Sequence, residues 1–150
     1  LIVDISPRAY KPHHHAILAA LNSVDFTIQN SRDLVDEQLS KLIPEFGVRQ
    51  FLMKNIFWKD KGVLGFRFHL DSLTKNNPAI GDALPMNARF EKETLFLKGE
   101  NSDYITENEA LIIDVHFPKN QIVTIKNAGH WLHAENPKQF YEEVCEFLKN

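Results

Sequence analysis

Apolar and polar positions change period several times along this chain, and each change marks an element. Leu1-Ile2-Val3 is an unbroken apolar run that stops at Asp4, with Pro7 ending regular pairing, as expected of a strand covered on both faces. From Pro12 to Val24 the residues Ile17, Leu18 and Leu21 recur at helical spacing, and Pro12 suits a first turn. Ser31 is a good N-cap for a helix over 32–43, with an apolar stripe of Leu34, Val35, Leu39, Leu42 and Ile43. Pro44 breaks it, and a second helical pattern from Glu45 carries Phe46, Val48, Phe51, Leu52 and Ile56. Phe57-Trp58, the turn residues 59–62 and the alternating stretch 63–68 predict a hairpin. Residues 71–84 offer only short helical turns.

After this helical region the period returns to strand, helix, strand, helix. Thr94–Lys98 and Gln121–Ile125 predict strands, Glu107–Phe117 a helix between them, and Pro137–Leu148 a terminal helix with Phe140, Val144, Phe147 and Leu148 toward the sheet. The pattern divides the chain into an α/β part, 1–11 with 87–150, and an inserted, mainly helical part, 12–86. Between the last strand and helix lies Asn127-Ala128-Gly129-His130-Trp131-Leu132-His133-Ala134-Glu135-Asn136-Pro137. Gly129 lacks a Cβ, so a tight or left-handed backbone there is expected to hold His130 over the carboxyl end of the strand. Ligands bind at that edge in open α/β sheets, and Asp4 leaves its strand at the same edge.

Composition narrows the function without choosing it. The chain has 150 residues, 43% hydrophobic, enough for a core, and a net charge of -3 with no basic block, which argues against nucleic acid as partner. No apolar run approaches a membrane span, and no targeting peptide is visible at Leu1. The single Cys145 cannot form an internal disulfide, which favours a reducing, cytoplasmic setting and a core-filling role for Cys145. His13, His14 and His15 are consecutive, so on a helix they point about 100° apart and are expected to be exposed rather than to share a metal. No metal, cofactor or Gly-rich phosphate loop is implied.

Gly129-His130-Trp131 with His133-Ala134-Glu135-x-Pro137, close to the C-terminus and followed by a helix, resembles the catalytic-histidine loop of the α/β-hydrolase fold. The wording is most similar to a branch of small acyl esterases that includes the bacterial YbfF-like enzymes and their eukaryotic abhydrolase relatives. The resemblance implies that His130 is the general base of a Ser, acid, His triad and that His133 packs the loop. Val3-Asp4-Ile5-Ser6-Pro7 looks like the family's segment after the nucleophile helix, which implies the C-terminal part of the fold, with 12–86 as its cap. Many members draw the acid from a Gly-x-x-Asp turn, but Gly99-Glu100-Asn101-Ser102 carries Ser at that slot. The resembled branch shows Ser there too and takes its acid from the earlier strand end, so Asp4 is the preferred partner of His130 and Asp103 the alternative. Phe51, Phe57, Trp58, Phe66, Phe68 and Trp131 are candidates to line an acyl pocket.

The chain contains no Gly-x-Ser-x-Gly elbow and no earlier His-Gly oxyanion loop. In this fold the order is Ser, acid, His, so the nucleophile is expected before Leu1. The resemblance therefore implies the C-terminal portion of a serine hydrolase that cleaves small-molecule acyl esters or thioesters, whose partner is the N-terminal half of the same enzyme. Alone, the stretch is expected to be inactive and, with an apolar edge at Leu1-Ile2-Val3, poorly soluble. Two other readings stay open: an Asp nucleophile, as in dehalogenases and epoxide hydrolases, and a non-catalytic binding module.

Overall fold

A computed structural model describes residues 1–11 and 14–149. In chain order the elements are β1 (Ile2–Val3), α1 (His15–Asn22), α2 (Arg32–Ser40), α3 (Phe46–Met53), β2 (Ile56–Asp60), β3 (Val63–Phe66), α4 (Leu70–Ile80), β4 (Thr94–Gly99), α5 (Glu107–His116), β5 (Asn120–Ile125), α6 (Leu132–Glu135) and α7 (Pro137–Lys149). They form two compact units, Leu1–Ala9 with Ala83–Asn150, and Tyr10–Asp82.

The first unit is a mixed α/β layer structure around a parallel sheet in the order β1-β4-β5. β4 is central, with Ile2 opposite Phe96 and Val3 opposite Leu97 on one side and Thr94 to Gly99 opposite Asn120 to Ile125 on the other. Side chains alternate across a strand, so Leu95 and Leu97 face one way and Phe96 the other. Leu95 and Leu97 pack with Ile125, Ala128 and Leu132 and with Phe140, Val144 and Phe147 of α7. Phe96 packs with Ile105, Ile113 and Phe117 around α5. Helices on both faces explain why β4 reads as a continuous apolar run. Leu148 departs from its expected place: it is 72% exposed, because it falls outside the Phe140, Val144 and Phe147 stripe that packs on the sheet in the last turn of α7. Cys145 is half-buried on α7 rather than part of the core. α5 starts at a capping box: the Thr106 side chain accepts from the Glu109 N–H, and the Glu109 carboxylate accepts from the Thr106 N–H at 3.0 Å and also from its hydroxyl.

In the second unit, Val35, Leu39, Ile43, Leu52, Met53, Ile56 and Leu64 form a core with Ala20 and Leu21 of α1. Ser31 caps α2 as its sequence indicates, accepting from the Leu34 N–H at 3.3 Å. The helix ends at Ser40, three residues short of the stripe, which leaves Leu42 half exposed. Arg32 donates to the carbonyls of Ile56 (2.8 Å) and Met53 (2.6 Å), satisfying oxygens where α3 gives way to β2. β2 and β3 pair antiparallel, with Gly62 at φ 75° in their turn. Residues 70–80 are a correction, because α4 is an 11-residue helix rather than short turns. The segment has no apolar stripe, and Asn76-Asn77-Pro78 reads as a breaker. Packing on α1 decides instead: Asn77 is buried, Asn22 Nδ2 donates to Thr74 Oγ1 at 3.0 Å, and His69 Nδ1 accepts from the Ser72 N–H at the start. Pro12 and His13 lie outside the described residues; His14 and His15 are exposed at the start of α1.

Candidate active site

All three parallel strands end at one edge, and the chemistry-bearing residues follow directly from those ends. Asp4 succeeds β1 with φ 48°, a left-handed conformation that costs a non-glycine residue about 1–3 kcal/mol. That conformation turns its side chain under the loop that follows β4. The Asp4 N–H still donates to the Leu97 carbonyl at 2.8 Å, so the residue is anchored to the sheet it leaves. Asp4 is fully buried, which demands partners for its carboxylate. Three donors converge on it: Gly99 N–H on Oδ1 at 3.1 Å, Ser102 Oγ on Oδ2 at 2.5 Å, and His130 Nδ1 on Oδ2 at 2.8 Å.

The histidine loop is held by its neighbours' side chains. β5 ends at Ile125, and Glu100 takes the next two residues: Lys126 Nζ donates to its Oε1 at 2.9 Å and Asn127 N–H to its Oε2 at 2.8 Å. The Asn127 N–H first, then Lys126, hold the Glu100 carboxyl below the usual carboxylate range. Gln139 Oε1 accepts from the Lys126 N–H at 2.9 Å, and Asn136 Nδ2 donates to the Lys126 carbonyl at 2.9 Å. The Ala128 carbonyl accepts from Asn101 N–H at 2.9 Å, Gly129 N–H donates to Glu135 Oε2 at 2.7 Å, and Leu132 is buried beneath.

The left-handed residue of this loop is Asn127, φ 54°, and not Gly129. A Cβ on Gly129 would meet only Glu135 Oε2, at 3.5 Å, and Oε1, at 3.7 Å, which is ordinary contact. The glycine that matters sterically is Gly99, whose Cβ would lie 2.2 Å from the Gly129 carbonyl oxygen and 2.7 Å from that of Ala128. At Gly99 the β4 backbone meets the histidine loop face to face, a closeness only glycine permits.

The His130 side chain is half exposed while Asp4 is not, so the pair presents one ring edge outward. An Nδ1–H donating to Asp4 leaves Nε2 with a free lone pair, the state in which an imidazole accepts a proton. Tyr104 stacks on the His130 ring, centroids 4.3 Å apart and planes 21° from parallel. Asp103 is exposed, and Ser102 beside it is the residue that reaches Asp4. Trp131 is half-buried next to His130, and exposed His133 sets its ring edge toward Phe140. In the other unit, Phe51 and Trp58 are exposed on α3 and β2, while Phe66 is packed between Phe26, edge-on at 5.0 Å, and Phe68, stacked at 5.1 Å. The sequence motifs contain Gly99 and Glu135 without assigning them these contacts, and give Tyr104 no role; the Gly that ends an apolar strand and the Glu five residues after a loop His were the available signals.

No family model matches the chain. It is 36% identical over 154 residues to the mouse sn-1-specific diacylglycerol lipase ABHD11, covering 99% of this chain and 50% of the relative. It is 29% identical to Esterase YbfF of Escherichia coli, covering 99% of this chain and 56% of that protein. Among solved structures, a marine microorganism esterase superposes with a TM-score of 0.88 at 38% identity, over 97% of this chain and 58% of its own. The chain thus spans about half the length of the curated relatives it matches. Among the described residues, no helix is long and apolar enough to cross a membrane.

Proposed function

Because this chain belongs to the α/β-hydrolase fold family, we propose that it supplies the acid and the base of a hydrolase of carboxylic esters or thioesters. His130 is the general base and Asp4 the acid that orients it. The nucleophile is a serine outside residues 1–150, which contain no elbow motif. The observation that carries the reading is the 2.8 Å contact between His130 Nδ1 and a fully buried Asp4. A buried carboxylate on Nδ1 fixes the tautomer and favours the imidazolium formed when Nε2 takes the serine proton. The serine oxygen attacks the acyl carbon, the alcohol or thiol leaves with the proton from His130, and His130 then activates the water that releases the acid.

In the same proposal the unit Tyr10–Asp82 is the cap of this enzyme and carries the exposed Phe51 and Trp58, and Trp131, beside the base in its own unit, is an acyl contact. Small-molecule acyl esters fit the esterase and lipase relatives. A cytoplasmic setting follows from the lone Cys145 and belongs to the proposal too.

The test uses the full-length protein with p-nitrophenyl acetate and butyrate. His130→Ala and Asp4→Asn are expected to lower kcat by about 10²–10⁴. A loss below about tenfold for His130→Ala rejects the base assignment. A fluorophosphonate, which captures an activated serine and not a carboxylate, separates the serine mechanism from one with an Asp nucleophile. Neither labelling nor turnover on esters, halides or epoxides would mean a binding module. Residues 1–150 expressed alone are expected to hydrolyse no ester.

A further inference from the structure

The segment that follows β4 touches the Asp4–His130 pair twice, through Ser102 at the carboxylate and through Tyr104 at the ring. Ser102 Oγ donates to Asp4 Oδ2, and the Tyr104 N–H in turn donates to Ser102 Oγ at 3.3 Å. The Tyr104 ring lies flat against the imidazole, 4.3 Å between centroids. Asp4, Ser102, Tyr104 and His130 therefore close a ring of contacts in which the acid holds one ring edge and the phenol covers one ring face. Building on the base assignment for His130, we propose that Tyr104 is a positioning residue that clamps the His130 imidazole in its Asp4-bonded plane through the stacked ring.

One physical effect follows from a parallel aromatic at this distance. The imidazole cannot swing about its Cβ–Cγ bond without breaking the stack, so Nε2 keeps one direction.

The experiment compares wild type, Tyr104→Phe and Tyr104→Leu in the full-length protein by kcat and KM on p-nitrophenyl acetate and by the NMR line widths of the His130 ring, identified by its loss in His130→Asn. Leu is expected to lower kcat several-fold at unchanged KM and to broaden the ring resonances as the imidazole samples more than one rotamer, while Phe, which restores the stack, keeps kcat and the sharp ring resonances. Unchanged kcat with unbroadened ring resonances in the Leu variant overturns the proposal, as does a Phe variant that behaves like Leu, which would assign the effect to the hydroxyl. Tyr104→Met removes the ring with a different shape, so a folding defect in one variant does not decide the outcome. Because the resonances read the ring directly, full ester turnover in His130→Ala would reject the base assignment while the NMR result still decides the role of Tyr104.

Discussion

The carboxyl edge of the sheet and the core of Tyr10–Asp82 both bury side chains completely, but for different reasons. In the helical unit the fully buried positions include Ala20, Val35, Leu39 and Leu64, apolar side chains whose removal from water is itself the driving force. At the sheet edge the fully buried Asp4 opposes that force, and its burial is tolerated because three donors meet it and a left-handed backbone turns it inward. A site that spends stability in this way has a geometric purpose, whereas a core that gains stability has none beyond packing. The contrast separates the residues whose chemistry can be argued from those, such as Phe66, whose surroundings account for them already.

The comparison breaks most visibly by emptying the helical core. Leu39→Ala removes a fully buried side chain and is expected to cost about 2–5 kcal/mol in denaturant unfolding, while the His130 ring resonances keep their positions. Gly99→Ala is the converse. Its Cβ would stand 2.2 Å from the Gly129 carbonyl oxygen, so the backbone before His130 must move. A displacement on the order of 1 Å at the base proposed here is expected to cost about 10²-fold in kcat, and the His130 ring resonances should shift with it. Retained kcat with unshifted resonances would show that the loop absorbs the methyl group without transmitting the strain.

The strands and the start of α2 were legible in the sequence because their rules are local. Period-2 alternation in β5, the unbroken apolar run of Leu1-Ile2-Val3 and the Ser31 cap all act within a few residues. The strand-to-helix loop and the nearness of Asp4 and His130 in the fold came from their both following strand ends. What stayed hidden depends on partners distant in sequence. α4 has no stripe of its own and forms against α1; Leu148 falls outside a stripe that only the packed helix defines. The role sought for Gly129 is divided between Asn127, which takes the left-handed backbone, and Gly99, which permits the close approach. Neither division shows until β4 and the histidine loop are brought together, and the same holds for the stack of Tyr104 on His130.

The smallest expected effect concerns the charge that fastens the loop rather than the pair it carries. Glu100 accepts from the Asn127 N–H and from Lys126, and these contacts, the backbone one foremost, hold its carboxyl below the ordinary range. A folded-state value below the unfolded one means the native state binds this proton less readily, so the ionised carboxylate stabilises the fold near neutral pH. That contribution is lost as pH falls through the folded-state value. Glu100 is exposed, so the effect is a small one and is weakened by salt. Glu100→Gln keeps the shape and one acceptor oxygen but not the charge. Wild type is therefore expected to melt slightly higher than Glu100→Gln at pH 7 and low ionic strength, with the gap closing below the normal glutamate range, where both side chains are neutral. Melting curves of the two proteins at pH 7 and pH 3, with and without added salt, check this. A gap that persists undiminished at pH 3 would mean that amide geometry, and not charge, fastens Asn127 and the turn leading to His130.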